Sequence, residues 1–160
     1  MNTREQPGYQ PDMQRHHLLP RQLLGTGSLG EMLAQLGKDR IGFDDFRRNG
    51  LLLPASTGAA LRAGLPLHCG PHADYNAMVL ERVGQIEGEW SRTARRHATV
   101  AAVDAIARLD LLQRALRRRL LEAGRGRLLL SRKDPFHTGQ DFSHLDAMVD
   151  QLWAATEPPG

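Results

Sequence analysis

The stretch Leu67-His68-Cys69-Gly70-Pro71-His72-Ala73-Asp74-Tyr75-Asn76 sets two imidazoles four residues apart around a proline. A first-turn proline gives up an amide that has no intrahelical acceptor, and its fixed φ suits a helix start. Read as the opening of a helix, the stretch stacks both rings on one face, where they could share a metal ion. Tyr75, Val79, Val83, Ile86 and Trp90 continue at helical spacing and predict a core helix, with Gly84 and Gly88 weakening its far end. Standing alone, the histidine pair also fits an ordinary polar helix start.

Two upstream clusters narrow the choice. Arg15-His16-His17-Leu18-Leu19-Pro20 reads as a short extended piece over residues 14–19, because Pro20 disfavours helix at the residue before it. Asn49-Gly50 is a turn signal leading into the strand candidate Leu51-Leu52-Leu53, which Pro54 stops. Residues 21–48 form a long connection with a short helix predicted over Leu29 to Leu36, and connections of that length are often functional. Residues 55–66, rich in Ala and Gly, allow a short helical turn.

The chain thus presents His16-His17-Leu18-Leu19-Pro20, then Phe46 and Asn49-Gly50-Leu51-Leu52-Leu53-Pro54, then His68-x-Gly70-x-His72-x-x-Tyr75-Asn76. Over roughly residues 13–90 this order resembles the AHH nucleases of the HNH/endonuclease VII superfamily, with Arg15 where the family name puts alanine. The resemblance implies an α+β fold with a ββα-metal (His-Me finger) core over residues 14–90; composition and apolar spacing add a flexible lead-in over 1–13 and a mainly α-helical extension over 91–160 packed on the core in the same single domain. The resemblance also implies a metal-dependent endonuclease. By that resemblance, and by the similar order in nuclease colicins, His17 is the general base and Asn49 fixes the loop and the His17 tautomer. His16, His68 and His72 then hold one divalent metal ion as neutral imidazoles. An imidazole-only set favours Zn, Ni, Mn or Co over Mg. Cys69 would make a closed, structural set with the three histidines; its place beside His68 points it off their shared face, and it is left out. Tyr75 and Asn76 read as packing and support, and His97, His137 and His144 as surface or capping residues.

At 160 residues and 41% hydrophobic the chain suits one compact domain. Its single cysteine rules out an internal disulfide. Nothing at the N-terminus combines a basic start with an apolar run, and no apolar stretch is long enough to span a bilayer, so neither a signal peptide nor a membrane partner is expected. The net charge of +3 hides an uneven distribution: residues 92–133 carry 12 basic and 3 acidic side chains, whereas residues 134–160 carry 5 acidic and no basic ones. The basic block suits an anionic partner such as nucleic acid, but could also be an interface or a solvated helix face.

Val103, Ile106, Leu109, Leu112, Leu116 and Leu120 predict a long amphipathic helix over Ala98 to Ala123 ended by Gly124. Residues 127–133 read as a short strand or a connector, and Ser143-His144-Leu145-Asp146 as a capping box opening a last helix. The expected function is phosphodiester hydrolysis, on DNA in preference to RNA, with RNA kept open. The family further implies a role as a bacterial toxin, cytoplasmic or delivered by a secretion system, with a cognate immunity protein as a further partner. Two rival readings are a noncatalytic zinc-stabilised nucleic-acid-binding module and a helical partner-binding protein. The spare base His17 beside a ligand argues against the former.

Overall fold

A computed structural model describes residues 9–124 and 127–137, together with residues 148, 149, 151 and 153. The class is α+β: one two-stranded sheet and mostly helices. Strand β1 (Met13–His17) pairs antiparallel with β2 (Gly50–Pro54), from Met13 opposite Pro54 to His17 opposite Gly50. The period of two puts Gln14 and His16 on one face of β1 and Arg15 and His17 on the other. Leu51 and Leu53 are buried, which fixes the register, since a one-residue slip would turn them to solvent.

The connection between the strands is more ordered than the sequence suggests. After a 3-10 turn (Arg21–Gly25), helix α1 (Gly27–Leu36) buries Leu29, Met32, Leu33 and Leu36, one helical face, and ends at Gly37 with φ +87°. Two single-turn helices follow, α2 (Lys38–Ile41) and α3 (Phe46–Asn49), the second capped by Asp45, whose carboxylate accepts from the Arg47 amide at 2.8 Å. The expected turn at Asn49-Gly50 does not form: Asn49 is the last residue of α3, and Gly50 is extended at φ −131°. Glycine is needed there for room, because a Cβ would run into the Phe46 ring. Arg117 secures the same junction, its guanidinium donating to the carbonyls of Arg47 at 2.7 Å and Gly50 at 2.9 Å.

Helix α4 (Thr57–Ala63), capped by Ser56, precedes an extended run that leads into α5 (Ala73–Ala94). Helix α5 packs against α6 (Ala98–Leu121) across a three-residue connection, residues 95–97. The two glycines of α5 do not end it early; packing of Val83 and Ile86 on the shared core offsets a propensity cost of about 1 kcal/mol each. The buried stripe of α6 runs through Ala101, Ala105, Leu109, Leu112, Leu116 and Leu120, and Val103, expected on it, is 59% exposed. Six residues before Leu109 is about 120° round the helix, so the face that buries the leucines carries Ala101 and Ala105 inward instead.

One apolar cluster runs from Leu18 and Leu19 through Leu36, Val79 and Leu112 to Leu128 and Leu130, with Met148 and Val149 against it. Residues 127–133 form a connector without regular structure, and the capping box at Ser143–Asp146 lies outside the described residues. Among the described residues no helix is long and apolar enough to cross a membrane.

Candidate metal centre and adjoining cleft

His16, His68 and His72 converge, each offering a ring nitrogen, with all three atoms within 4.8 Å of one another. Their ring centroids lie 5.2 Å (His16 to His68), 5.6 Å (His16 to His72) and 4.4 Å (His68 to His72) apart. The route to this arrangement corrects the expected one. His68 and His72 do not ride one helical face, because the helix begins only at Ala73 with His72 in the capping position. Pro71 bars the residue before it from helical geometry, and Gly70 takes the left-handed conformation at φ +80°, so the chain doubles back between the two histidines. The His68 amide donates to the Pro54 carbonyl at 2.7 Å, tying the loop to the end of β2.

Each ring is held by something other than its neighbours. His72 Nδ1 donates to the Leu130 carbonyl at 3.0 Å, which leaves Nε2 as a lone pair. His68 Nδ1 lies 2.9 Å from Gln14 Oε1, with the same consequence for its Nε2. His16 is only 4% exposed and packs edge-on against Tyr75, whose hydroxyl donates to the Leu18 carbonyl at 2.8 Å. His16 Nε2 is buried and has no hydrogen-bond partner among the described residues. A buried imidazole nitrogen without a partner is costly unless something else fills its lone pair, and a metal ion beside two further imidazole lone pairs would do so. The donor chemistry therefore fits a divalent ion. Burial above all, then the charges of the neighbouring histidines, pushes the His16 pKa down to about 2. Burial and His72 likewise push His68 down to about 4. Both are neutral at neutral pH, as ligands must be.

His17 is not part of the trio. It is half-buried on the opposite face of β1, lining a cleft of about 310 Å³ with Arg15, Arg21, Phe43, Asp44 and Phe46. Burial first, then the Arg21 guanidinium, lowers its pKa, with Asp44 acting in the opposite sense. Arg15 lies over the Phe46 ring at 4.6 Å. Asn49 is fully buried, and its side chain is spent on the backbone: Oδ1 accepts from the Leu19 amide at 2.7 Å, while Nδ2 donates to the carbonyls of Phe43 at 2.9 Å and Leu19 at 3.2 Å. Both its amide protons are thus committed to the backbone, and the expected bond to the His17 ring is not found among the described residues. Asn49 instead staples the chain that leaves β1 to the loop that enters α3.

Cys69 is exposed and stands outside the trio. His97 and His137 are exposed, and His144 lies outside the described residues. In the basic block, Arg108 pairs with Asp104 and stacks over Trp153, Arg114 pairs with Asp110, and buried Arg119 pairs with Glu122. These arginines brace the helices. Three supporting groups escaped the sequence reading. Gln14 could have been found, since residue i−2 of a strand shares the face of His16. The Leu130 carbonyl carries no residue signature. Asp134, which accepts from the Leu67 amide at 2.5 Å and the Phe136 amide at 2.8 Å, was visible only as a turn residue before proline.

Residues 1–115 match the model of a nuclease family of the HNH/ENDO VII superfamily, one marked by a conserved AHH. The chain belongs to this AHH family. No curated protein and no solved structure matches the chain.

Proposed function

We propose that the protein is a metal-dependent endonuclease whose β1, β2 and the N-terminus of α5 form a ββα-metal core, with residues 91–160 as an extension of the same single domain. His16, His68 and His72 hold one divalent ion, Zn, Ni, Mn or Co before Mg by ligand softness. When bound, the ion supplies positive charge to the scissile phosphate and the leaving oxygen. His17, neutral at working pH, accepts the proton of the attacking water from its own side of the strand end. Asn49 acts through the backbone, holding residues 18 and 19 so that His17 keeps its place. Arg15 and Arg21 make the approach to His17 favourable for an anionic substrate. The substrate is nucleic acid, DNA in preference to RNA. A toxin role, a cognate immunity protein and either a cytoplasmic location or delivery into a target cell follow from the family resemblance alone.

The observation that carries this reading is the buried Nε2 of His16, without a hydrogen-bond partner among the described residues, beside two rings whose Nδ1 atoms are already engaged. A noncatalytic zinc module would use the same trio but has no use for a half-buried base beside it. Purified protein incubated with plasmid and with total RNA, with divalent ions and then with chelator, should cut in the first condition only. Metal binding without cleavage of either substrate would transfer the site to the binding-module reading.

A further inference from the structure

The stretch matched by the family ends at residue 115, yet a bond to one of the three converging histidines comes from beyond it. Residues 127–134, which follow α6 in the chain, pass the histidine loop and touch it twice. The Leu130 carbonyl accepts from His72 Nδ1 at 3.0 Å, and buried Asp134 accepts from the amide of Leu67, the residue before His68. The segment is itself anchored. The Leu128 amide donates to the Arg119 carbonyl at 3.1 Å, and Leu128 and Leu130 are buried in the main apolar cluster. Between segment and loop lies a cleft of about 370 Å³, with Cys69, Gly70 and Pro71 on one side and Ser131, Arg132 and Lys133 on the other.

We propose that residues 127–134 are a strap that sets the tautomer and direction of His72 through the Leu130 carbonyl, with Asp134 as the positioning residue that fixes strap to loop. A helix cap leaves the side chain of its residue free to turn, and His72 makes no capping bond of its own. The carbonyl supplies the missing constraint: with Nδ1 carrying the proton, only Nε2 remains to bind a cation. Asp134 does the same for the chain before His68, since its two oxygens serve two separate backbone amides. The histidine loop is therefore closed by a part of the chain that the family match does not include. This inference rests on the metal reading above.

The test is zinc affinity of the full chain, measured by competition with a chromophoric chelator, for wild type, Asp134→Ala, Asp134→Asn and Leu112→Ala. Asp134→Ala should bind zinc about 10- to 100-fold more weakly, the usual scale for an outer partner of a ligand. Asp134→Asn, which keeps one acceptor oxygen, should lose less, and it carries the test should the alanine variant fail to fold. Leu112→Ala, buried in α6 away from the site, should lower the melting temperature and leave zinc affinity unchanged. Nitrogen-15 shifts of His72 in metal-free protein should show the Nδ1–H tautomer in wild type and a mixture in Asp134→Ala. Folded Asp134 variants with wild-type zinc affinity would overturn the strap alone. A wild type that takes up no divalent ion would remove the metal reading, and the strap's purpose with it.

Discussion

The two faces of β1 differ in nearly every physical respect, although His16 and His17 are neighbours in the chain. One face is closed: His16 is buried against Tyr75, His68 and His72, with burial driving its pKa far down. The other is open, with His17 half-buried in a cleft that Arg15, Arg21 and Asp44 also line. Extended backbone turns successive side chains to opposite sides, so a strand end is an economical way to give two identical side chains different environments. The difference teaches that a doubled histidine need not be redundant. On the proposed function, one ring serves as a permanent ligand and the other exchanges a proton.

The largest test of that division is His16→Ala. It should reduce metal affinity by more than the roughly 100-fold that marks loss of an outer partner, and abolish cleavage; titration and a nicking assay read both. His17→Ala should leave metal affinity unchanged while slowing cleavage by about 10²- to 10⁴-fold, the range for losing a general base. Parallel losses of metal in the two variants would erase the distinction between the faces. Asn49→Ala strands the Leu19 amide and two carbonyls in the interior, and should destabilise the fold by roughly 2–4 kcal/mol in chemical denaturation.

Smaller effects sharpen the contrast. His16 and His68 titrate near 6.5 when unfolded but near 2 and 4 in the folded, metal-free protein, so below pH 6.5 the unfolded chain binds more protons. Stability should be complete above pH 6.5 and decline as pH falls, with His68 contributing its loss down to about 4 and His16 continuing below. Melting curves from pH 7.5 to 4 in chelator would show the decline, and an unchanged melting temperature would contradict the closed face. Arg15→Ala should do least: loss of the Phe46 stack costs about 0.5–1 kcal/mol. Because Arg15 is among the charges that lower the His17 pKa, its removal should move the acid limb of the cleavage profile to slightly higher pH.

Much of this site was legible because its parts are chemically distinctive. Paired histidines, an asparagine before glycine and a histidine pair astride proline stand out in any order, and the apolar periodicities of α1 and α5 survive as buried faces. What misled was geometry decided by one backbone atom. Spacing four suggested a helical face for His68 and His72, whereas the left-handed Gly70 brings the rings together through a loop. Asn49-Gly50 looked like a turn, whereas the glycine makes room for Phe46. Within the basic block, the bonds of Arg117 to main-chain carbonyls far away in sequence had no signature to read. Supports offered by carbonyl oxygens, such as that of Leu130, carry no side-chain label to read.

The long connection between β1 and β2 also bears on when the site comes into being. Helices α5 and α6 are separated by three residues and can dock as soon as both exist, whereas pairing His17 with Gly50 closes a loop over residues 18–49. Closing a flexible loop of that length costs about 3 kcal/mol in chain entropy. Local contacts form ahead of distant ones when each must repay its own loop. We therefore expect substitutions at the α5–α6 contact, such as Leu112→Ala, to slow folding, and those in the sheet, such as Leu53→Ala, mainly to speed unfolding, as stopped-flow traces of both would show. In that order of events His16, His68 and His72 come together last, after the two long helices have docked.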